Sequence, residues 1–67
     1  MMNQNGGENM NIPNDPVMLY SFLNTKLRDF YSSFDALCED MDLNKEEILT
    51  KLASMGFEYD EKMNRFR

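Results

Sequence analysis

The side chains that could support catalysis or bind a metal are few in this sequence. Its 67 residues include no histidine and one cysteine, Cys38. A disulfide framework is therefore excluded, and the usual sulfur and nitrogen ligands of a structural zinc site are missing. Glu39, Asp40 and Asp42 follow the thiol, but without the Asp-x-Asp-x-Asp-Gly spacing of a calcium loop. No phosphate loop, catalytic triad or acid/base pair can be built from these residues. We therefore expect no enzymatic activity, no cofactor and no metal.

Cys38 has the position of a packing residue. A reactive thiol needs an exposed, electropositive setting, whereas Cys38 adjoins Glu39 and Asp40. It also belongs to an apolar series at i, i+3, i+4 and i+7, which predicts one buried face of a helix. The members of that series are Phe34, Leu37, Cys38 and Met41.

A helix preceding this series is predicted to begin at Asp15 and Pro16. The Asp15 carboxylate can accept hydrogen bonds from the first turn, and a proline at the first helical position has no N–H to leave unpaired. The helix is expected to run from about Pro16 to Phe30. Its core-facing residues follow helical spacing: Leu19, Leu23, Leu27 and Phe30.

The next two helices have the pattern of a helix-turn-helix. Ser32 is predicted to cap the first of them, with Asp35 reaching back, and Asn44 to cap the second. Asp42 occupies the turn, where a left-handed residue is needed and glycine is commoner, and Gly56 is predicted as a left-handed C-cap. The small Cys38 marks the expected contact between the helices, and the other residues predicted to pack inward are Met41, Leu43, Ile48, Leu49, Leu52 and Met55.

The C-terminal residues change to an alternating period. Residues 57–59 and 65–67 alternate apolar with polar side chains across the polar segment 60–64, which predicts a β-hairpin. The expected fold class is mainly α: a three-helix, helix-turn-helix-like core with a short C-terminal hairpin, similar to a minimal winged helix. We expect residues 1–11 to be a disordered lead and residues 12–67 to form one domain.

The charge of the chain disfavours some partners. A net charge of -5 and a pI near 4.4 oppose nonspecific attraction to nucleic acids and anionic membranes. No apolar run approaches the roughly 18 residues of a membrane span, and the start of the chain lacks the basic and apolar regions of a signal peptide. The cytoplasm is the expected compartment, and neither a membrane nor a small-molecule substrate is an expected partner.

The first predicted helix carries more apolar surface than a core needs. Val17, Met18, Tyr20 and Phe22 accompany its inward residues, which predicts a contact surface for a second copy or another protein. The alternative is that Ile12, the hairpin and the tail cover this surface.

A nucleic-acid-binding regulator is the second functional hypothesis. Its third helix would enter the major groove, but that helix opens with Glu46 and Glu47 and offers few cations to neutralise phosphates. The hairpin would make most of the contacts. The basic residues available for this function are Lys45, Lys51, Lys62, Arg65 and Arg67.

Four stretches of the sequence resemble a known family. They are residues 11–29, the Leu37-Cys38-Glu39-Asp40 run, the Gly56-Phe57-Glu58-Tyr59 step and the final Asn64-Arg65-Phe66-Arg67. Together they resemble a small bacterial family known as domain of unknown function 4250, and the resemblance extends over residues 11–67. The resemblance implies a short stand-alone protein. Because the family has no assigned activity, it supplies no functional residues.

Overall fold

Three helices followed by a two-stranded hairpin make up the protein in a computed structural model that describes residues 12–67. The elements are α1 (Pro16–Asp29), α2 (Phe34–Met41), α3 (Lys45–Ala53), β1 (Tyr59–Asp60) and β2 (Arg65–Phe66). The predicted mainly α fold with a C-terminal hairpin is confirmed. The predicted lead, residues 1–11, lies outside the described residues.

Helices α1 and α3 begin at the capping residues that the sequence predicts. An Asp15 carboxylate oxygen accepts hydrogen bonds from the backbone N–H groups of Val17 at 2.8 Å and Met18 at 3.3 Å. The Asn44 side-chain oxygen accepts one from the Glu47 N–H at 3.0 Å. Each side chain satisfies donors that have no partner within the helix.

The predicted cap of α2 is wrong by one residue. Ser33, rather than Ser32, has the extended backbone of an N-cap, and its hydroxyl accepts a hydrogen bond from the Ala36 N–H at 3.1 Å. Asp35 was expected to reach back over the first turn. Its carboxylate forms an ion pair with Lys45 instead, at 2.5 Å, and so connects the first turns of α2 and α3.

The turn between α2 and α3 depends on Asp42, as predicted. Its backbone is left-handed, with φ 58° and ψ 50°. This conformation lets the Leu43 N–H turn back to the Cys38 carbonyl at 2.8 Å, which satisfies a carbonyl at the end of α2. The connection between the two helices is therefore short and fixed by backbone hydrogen bonds.

Gly56 ends α3 in a Schellman motif. Its φ is 86°, its N–H donates to the Ala53 carbonyl at 2.9 Å, and the Phe57 N–H donates to the Leu52 carbonyl at 3.0 Å. The predicted left-handed conformation of Gly56 is confirmed. The motif reverses the chain and returns Phe57 to the helices.

The core lies where the three helices meet the hairpin. The Phe34 and Phe66 rings pack edge to face there, with centroids 5.0 Å apart. The buried residues are Leu19, Leu23, Leu27, Phe34, Leu37, Cys38, Ile48, Leu52 and Phe66.

Two residues predicted to face this core are exposed. Phe30 is 69% exposed and Met55 is 52% exposed. Both follow the last residue of a helix, since α1 ends at Asp29 and α3 at Ala53. The predictions were wrong because they extended the core-facing series past these ends.

The hairpin is closed by a turn that its own side chains stabilise. Tyr59 pairs with Phe66 and Asp60 with Arg65, so the strands differ slightly from the predicted 57–59 and 65–67. An Asp60 carboxylate oxygen accepts hydrogen bonds from the N–H groups at positions 62 and 63, at 2.9 and 3.2 Å. Asn64 completes the turn in a left-handed conformation, with φ 53°.

Candidate interaction surface on α1

The structure separates Tyr20 from Phe22. Residues two positions apart project to different sides of a helix, because successive residues are rotated by about 100°. The Tyr20 ring stacks on Phe57, with centroids 4.1 Å apart and planes 18° from parallel. Phe22 lies beneath the Lys26 ammonium group, whose nitrogen is 5.6 Å from the ring centroid. Tyr20 therefore packs against the segment after α3, and Phe22 does not share that contact.

Val17 and Met18 are both exposed, by 49% and 61%. Met18 precedes Phe22 by four residues and lies on the same side of α1, whereas Val17 precedes Tyr20 by three and lies on the other side. The four residues predicted as one interface are therefore divided between two sides of the helix.

A row of side chains runs along one side of α1 through Met18, Phe22 and Lys26 and continues to the C-cap residue Phe30, whose ring lies near the Lys26 ammonium group. We call this row the α1 stripe. Phe22 is half-buried, while Met18 and Phe30 are 61% and 69% exposed. The Lys26 ammonium nitrogen lies 5.6 Å from the Phe22 ring centroid and 5.0 Å from that of Phe30. A cation at these distances is attracted by both rings. The stripe is thus a narrow apolar surface with a single charged group within it.

Phe30 is the residue of this surface that sequence reasoning missed. Its spacing from Leu23 and Leu27 matched the core series, so it was assigned to the interior. The signal that could have corrected this is local: Tyr31-Ser32-Ser33 follows directly and marks the end of a helix.

An ion pair lies on the exposed surface near the stripe. The Arg28 guanidinium donates to both carboxylate oxygens of Asp29, at 3.0 and 3.2 Å. The hydrogen bond from Arg28 holds the pKa of Asp29 below its ordinary value, so this carboxylate is ionised at neutral pH. The C-terminal end of α1 therefore carries charged side chains next to the α1 stripe.

The opposite side of α1 is held to the hairpin by Asn24. Its side-chain amide donates to the Phe66 carbonyl at 3.0 Å, and its oxygen accepts from the Phe66 N–H at 2.7 Å. The hairpin thus covers the Asn24 side of the helix. Local spacing does not indicate this role of Asn24, because Phe66 lies 42 residues away in the sequence.

Three of the residues predicted for nucleic-acid contact lie beside carboxylates. Lys45 pairs with Asp35 at 2.5 Å and Arg67 with Asp60 at 2.7 Å. Arg65 is exposed on β2 and is the cross-strand neighbour of Asp60. The positive charge of the hairpin is therefore largely balanced by its own acidic residues.

The other two predicted contacts, Lys51 and Lys62, lie on different elements. Lys51 is half-buried on α3 and its ammonium group donates to the Asn14 side chain at 3.4 Å. Lys62 is exposed in the hairpin turn. Glu46 and Glu47 are exposed in the first turn of α3, where a recognition helix would meet phosphates.

Cys38 is buried, as predicted, and burial raises the pKa of its thiol. A raised pKa lowers the thiolate fraction, which opposes reaction at this sulfur. Across residues 12–67, no three side chains of the histidine, cysteine or acidic types are grouped so that they could hold a metal ion. Over the same range, every helix is too short or too polar to cross a membrane.

Comparison with known families identifies a match for this chain. The family model described as a domain of unknown function (DUF4250) matches residues 13–66. The chain belongs to this family. The match includes all of α1, α2, α3, β1 and β2, and it confirms the resemblance seen in the sequence. No curated protein and no solved structure gave a significant match. In this DUF4250 protein, the α1 stripe is an exposed apolar surface within residues 12–67.

Proposed function

We propose that this protein is a non-catalytic interaction module that self-associates through the α1 stripe. The observation that carries the proposal is the exposure of Met18 and Phe30 at the two ends of one row, with Phe22 between them. Single exposed apolar residues are ordinary on protein surfaces, whereas a continuous apolar surface rimmed by charge is typical of an interaction site.

The dimensions of the surface favour a weak association. A helix of 14 residues is about 21 Å long. A stable interface of standard size buries about 800 Å² on each partner, which is a large share of the 4594 Å² of accessible surface here. One side of a short helix supplies less than that. We therefore expect a reversible dimer with a micromolar dissociation constant.

The balanced charge of the hairpin favours a protein partner over nucleic acid. Affinity for a duplex depends on Lys and Arg side chains that release counterions from phosphates. In this chain Lys45 and Arg67 contact carboxylates, and the first turn of α3 presents Glu46 and Glu47. This arrangement supports the interaction module over the nucleic-acid-binding alternative.

Sedimentation equilibrium over a series of concentrations tests the proposal. The wild-type chain should change from monomer to dimer as concentration rises. Met18→Glu and Phe30→Glu should each raise the dissociation constant by about tenfold or more, which corresponds to ~1.4 kcal/mol, because each places a carboxylate in the apolar contact.

Met63→Glu is the matched control. Met63 is exposed to the same extent as Met18, 61%, but lies in the hairpin turn, beside Asn24 and Arg28. This variant should dimerise like the wild type. A wild-type chain that stays monomeric at every concentration would refute the proposal, and so would Met18→Glu and Phe30→Glu variants that dimerise as well as Met63→Glu.

A further inference from the structure

Two copies of the α1 stripe that run in opposite directions place complementary residues against each other. Met18, Phe22, Lys26 and Phe30 follow one another at intervals of four residues. When two such rows run in opposite directions about their common midpoint, Met18 of each copy meets Phe30 of the other, and Phe22 meets Lys26. A two-fold axis perpendicular to the helices produces this pairing, in which both copies use the same surface.

Each pair that this arrangement creates is chemically favourable. The thioether of a methionine is attracted to the edge of an aromatic ring, which suits Met18 against Phe30. An ammonium group is attracted to the face of a ring, which suits Lys26 against Phe22. Within one chain Lys26 already lies 5.6 Å from the Phe22 centroid and 5.0 Å from that of Phe30. The Lys26 ammonium group therefore has aromatic partners in the monomer and in the dimer.

The parallel arrangement lacks this complementarity. It places Lys26 against Lys26, and two like charges in a partly dehydrated contact repel each other. It also aligns the two helix dipoles side by side in the same direction, which is unfavourable, whereas antiparallel helices place opposite ends together. The one charged residue in the stripe thereby distinguishes the two orientations.

We infer that the partner at the α1 stripe is a second copy of this chain in antiparallel orientation, with Lys26 of each copy against Phe22 of the other. This inference rests on the proposed self-association and adds to it the direction and register of the pair. Lys26 is the residue that determines the direction of pairing, while Met18 and Phe30 supply most of the exposed apolar surface.

Disulfide trapping between two single-cysteine additions tests the direction. Met18→Cys lies at one end of the α1 stripe and Asp29→Cys adjoins Phe30 at its other end, and the two substitutions leave both aromatic rings in place. One variant is labelled with ¹⁵N, the two are mixed at a concentration where the wild type is dimeric, and they are oxidised briefly. Mass spectrometry then separates mixed from like pairs. The native Cys38 can remain, because it is buried and its thiol is poorly ionised.

The antiparallel pair predicts a mixed disulfide, Cys at position 18 to Cys at position 29, in excess of the ratio expected for random collision. A dimer whose disulfides join like positions, or form at random, would overturn the antiparallel arrangement and leave the proposed self-association intact. A chain that sedimentation shows to be monomeric would overturn both. A Lys26→Gln variant removes the charge that opposes the parallel pair. If it kept the same excess of mixed disulfide, Lys26 would not determine the direction.

Discussion

Asn64 connects the hairpin to the ends of two helices. Its side-chain amide donates to the carbonyls of Leu27 and Tyr31, at 3.2 and 3.0 Å, and its oxygen accepts from the Tyr59 hydroxyl at 2.6 Å. That hydroxyl in turn accepts from the N–H of Phe34 at 3.2 Å, at the start of α2. The Asn64 backbone is left-handed, a conformation that asparagine tolerates better than most residues. Asn64 thus supplies both the side-chain hydrogen bonds and the left-handed backbone conformation that this turn needs.

Replacing Asn64 separates these two contributions. Asn64→Gly keeps the positive φ without strain but loses the side-chain hydrogen bonds, and we expect a loss of about 2 kcal/mol in the free energy of unfolding. Asn64→Ala loses the bonds and adds about 1 kcal/mol of backbone strain. Urea denaturation measures both variants. Equal stability of the glycine and alanine variants would contradict the role of the left-handed backbone.

The Asp60 carboxylate should make stability depend on pH in the acid range. Its hydrogen bond from Arg67 holds the pKa of Asp60 below its ordinary value, and the N–H groups of Met63 and Lys62 act in the same direction. A carboxylate whose pKa is lower in the folded state than in the unfolded state stabilises the fold at pH values above its unfolded-state pKa, near 4. That stabilisation is lost as the pH falls through the folded-state pKa.

The variant that tests this contribution is Asp60→Asn. The wild type should exceed it in unfolding free energy at pH 7, and the difference should shrink as the pH falls through the unfolded-state pKa near 4 and below it. Urea titrations at several pH values measure this. A difference for Asp60→Asn that stays constant with pH would disprove the linkage.

At the scale of the elements, the end of α3 depends on the conformation of Gly56 more than on space around it. Its φ is 86°, and a Cβ added there would meet nothing within 4 Å. Gly56→Ala should therefore cost about 1 kcal/mol through backbone strain alone. Gly56→Asn should cost less, because asparagine adopts the left-handed region more readily. Thermal or urea denaturation distinguishes the two, and an alanine variant as stable as the wild type would argue against the strain.

Local signals predicted most of the element boundaries. Asp15, Asn44, Asp42 and Gly56 each act through hydrogen bonds or a backbone conformation within a few residues of their own position, and such effects are encoded in short stretches of sequence. Phe30 and Met55 were assigned wrongly because helical spacing was extended past the ends of the helices.

The contacts between elements could not be predicted in the same way. Asn24 bonds to Phe66, 42 residues away, and Tyr20 stacks on Phe57. Neither partner is indicated by local spacing. For the same reason the candidate surface was only partly predicted: Met18 and Phe22 belong to the α1 stripe, whereas the contact of Tyr20 depended on how the chain returns after α3.

At the scale of the whole molecule, the distribution of charge predicts little affinity for nucleic acid. The net charge is -5, and acidic residues of α2, the turn and α3 form an exposed series: Asp35, Glu39, Asp40, Asp42, Glu46 and Glu47. We expect no detectable binding to a fluorescent DNA duplex at low salt, where phosphate contacts are strongest. Saturable binding that was lost in an Arg65→Glu variant would contradict this expectation and favour the nucleic-acid-binding alternative.

Chemical shifts followed during dilution test self-association through α1 most directly, because they need no substitution. Two-dimensional ¹H–¹⁵N spectra of the wild type would be recorded over a series of concentrations that spans the expected micromolar range. The amides of α1 near Met18, Phe22, Lys26 and Phe30 should shift with concentration, and those near Met55 and Met63 should not. Spectra that stay the same at all concentrations, or shifts centred on the hairpin, would contradict the proposed interface.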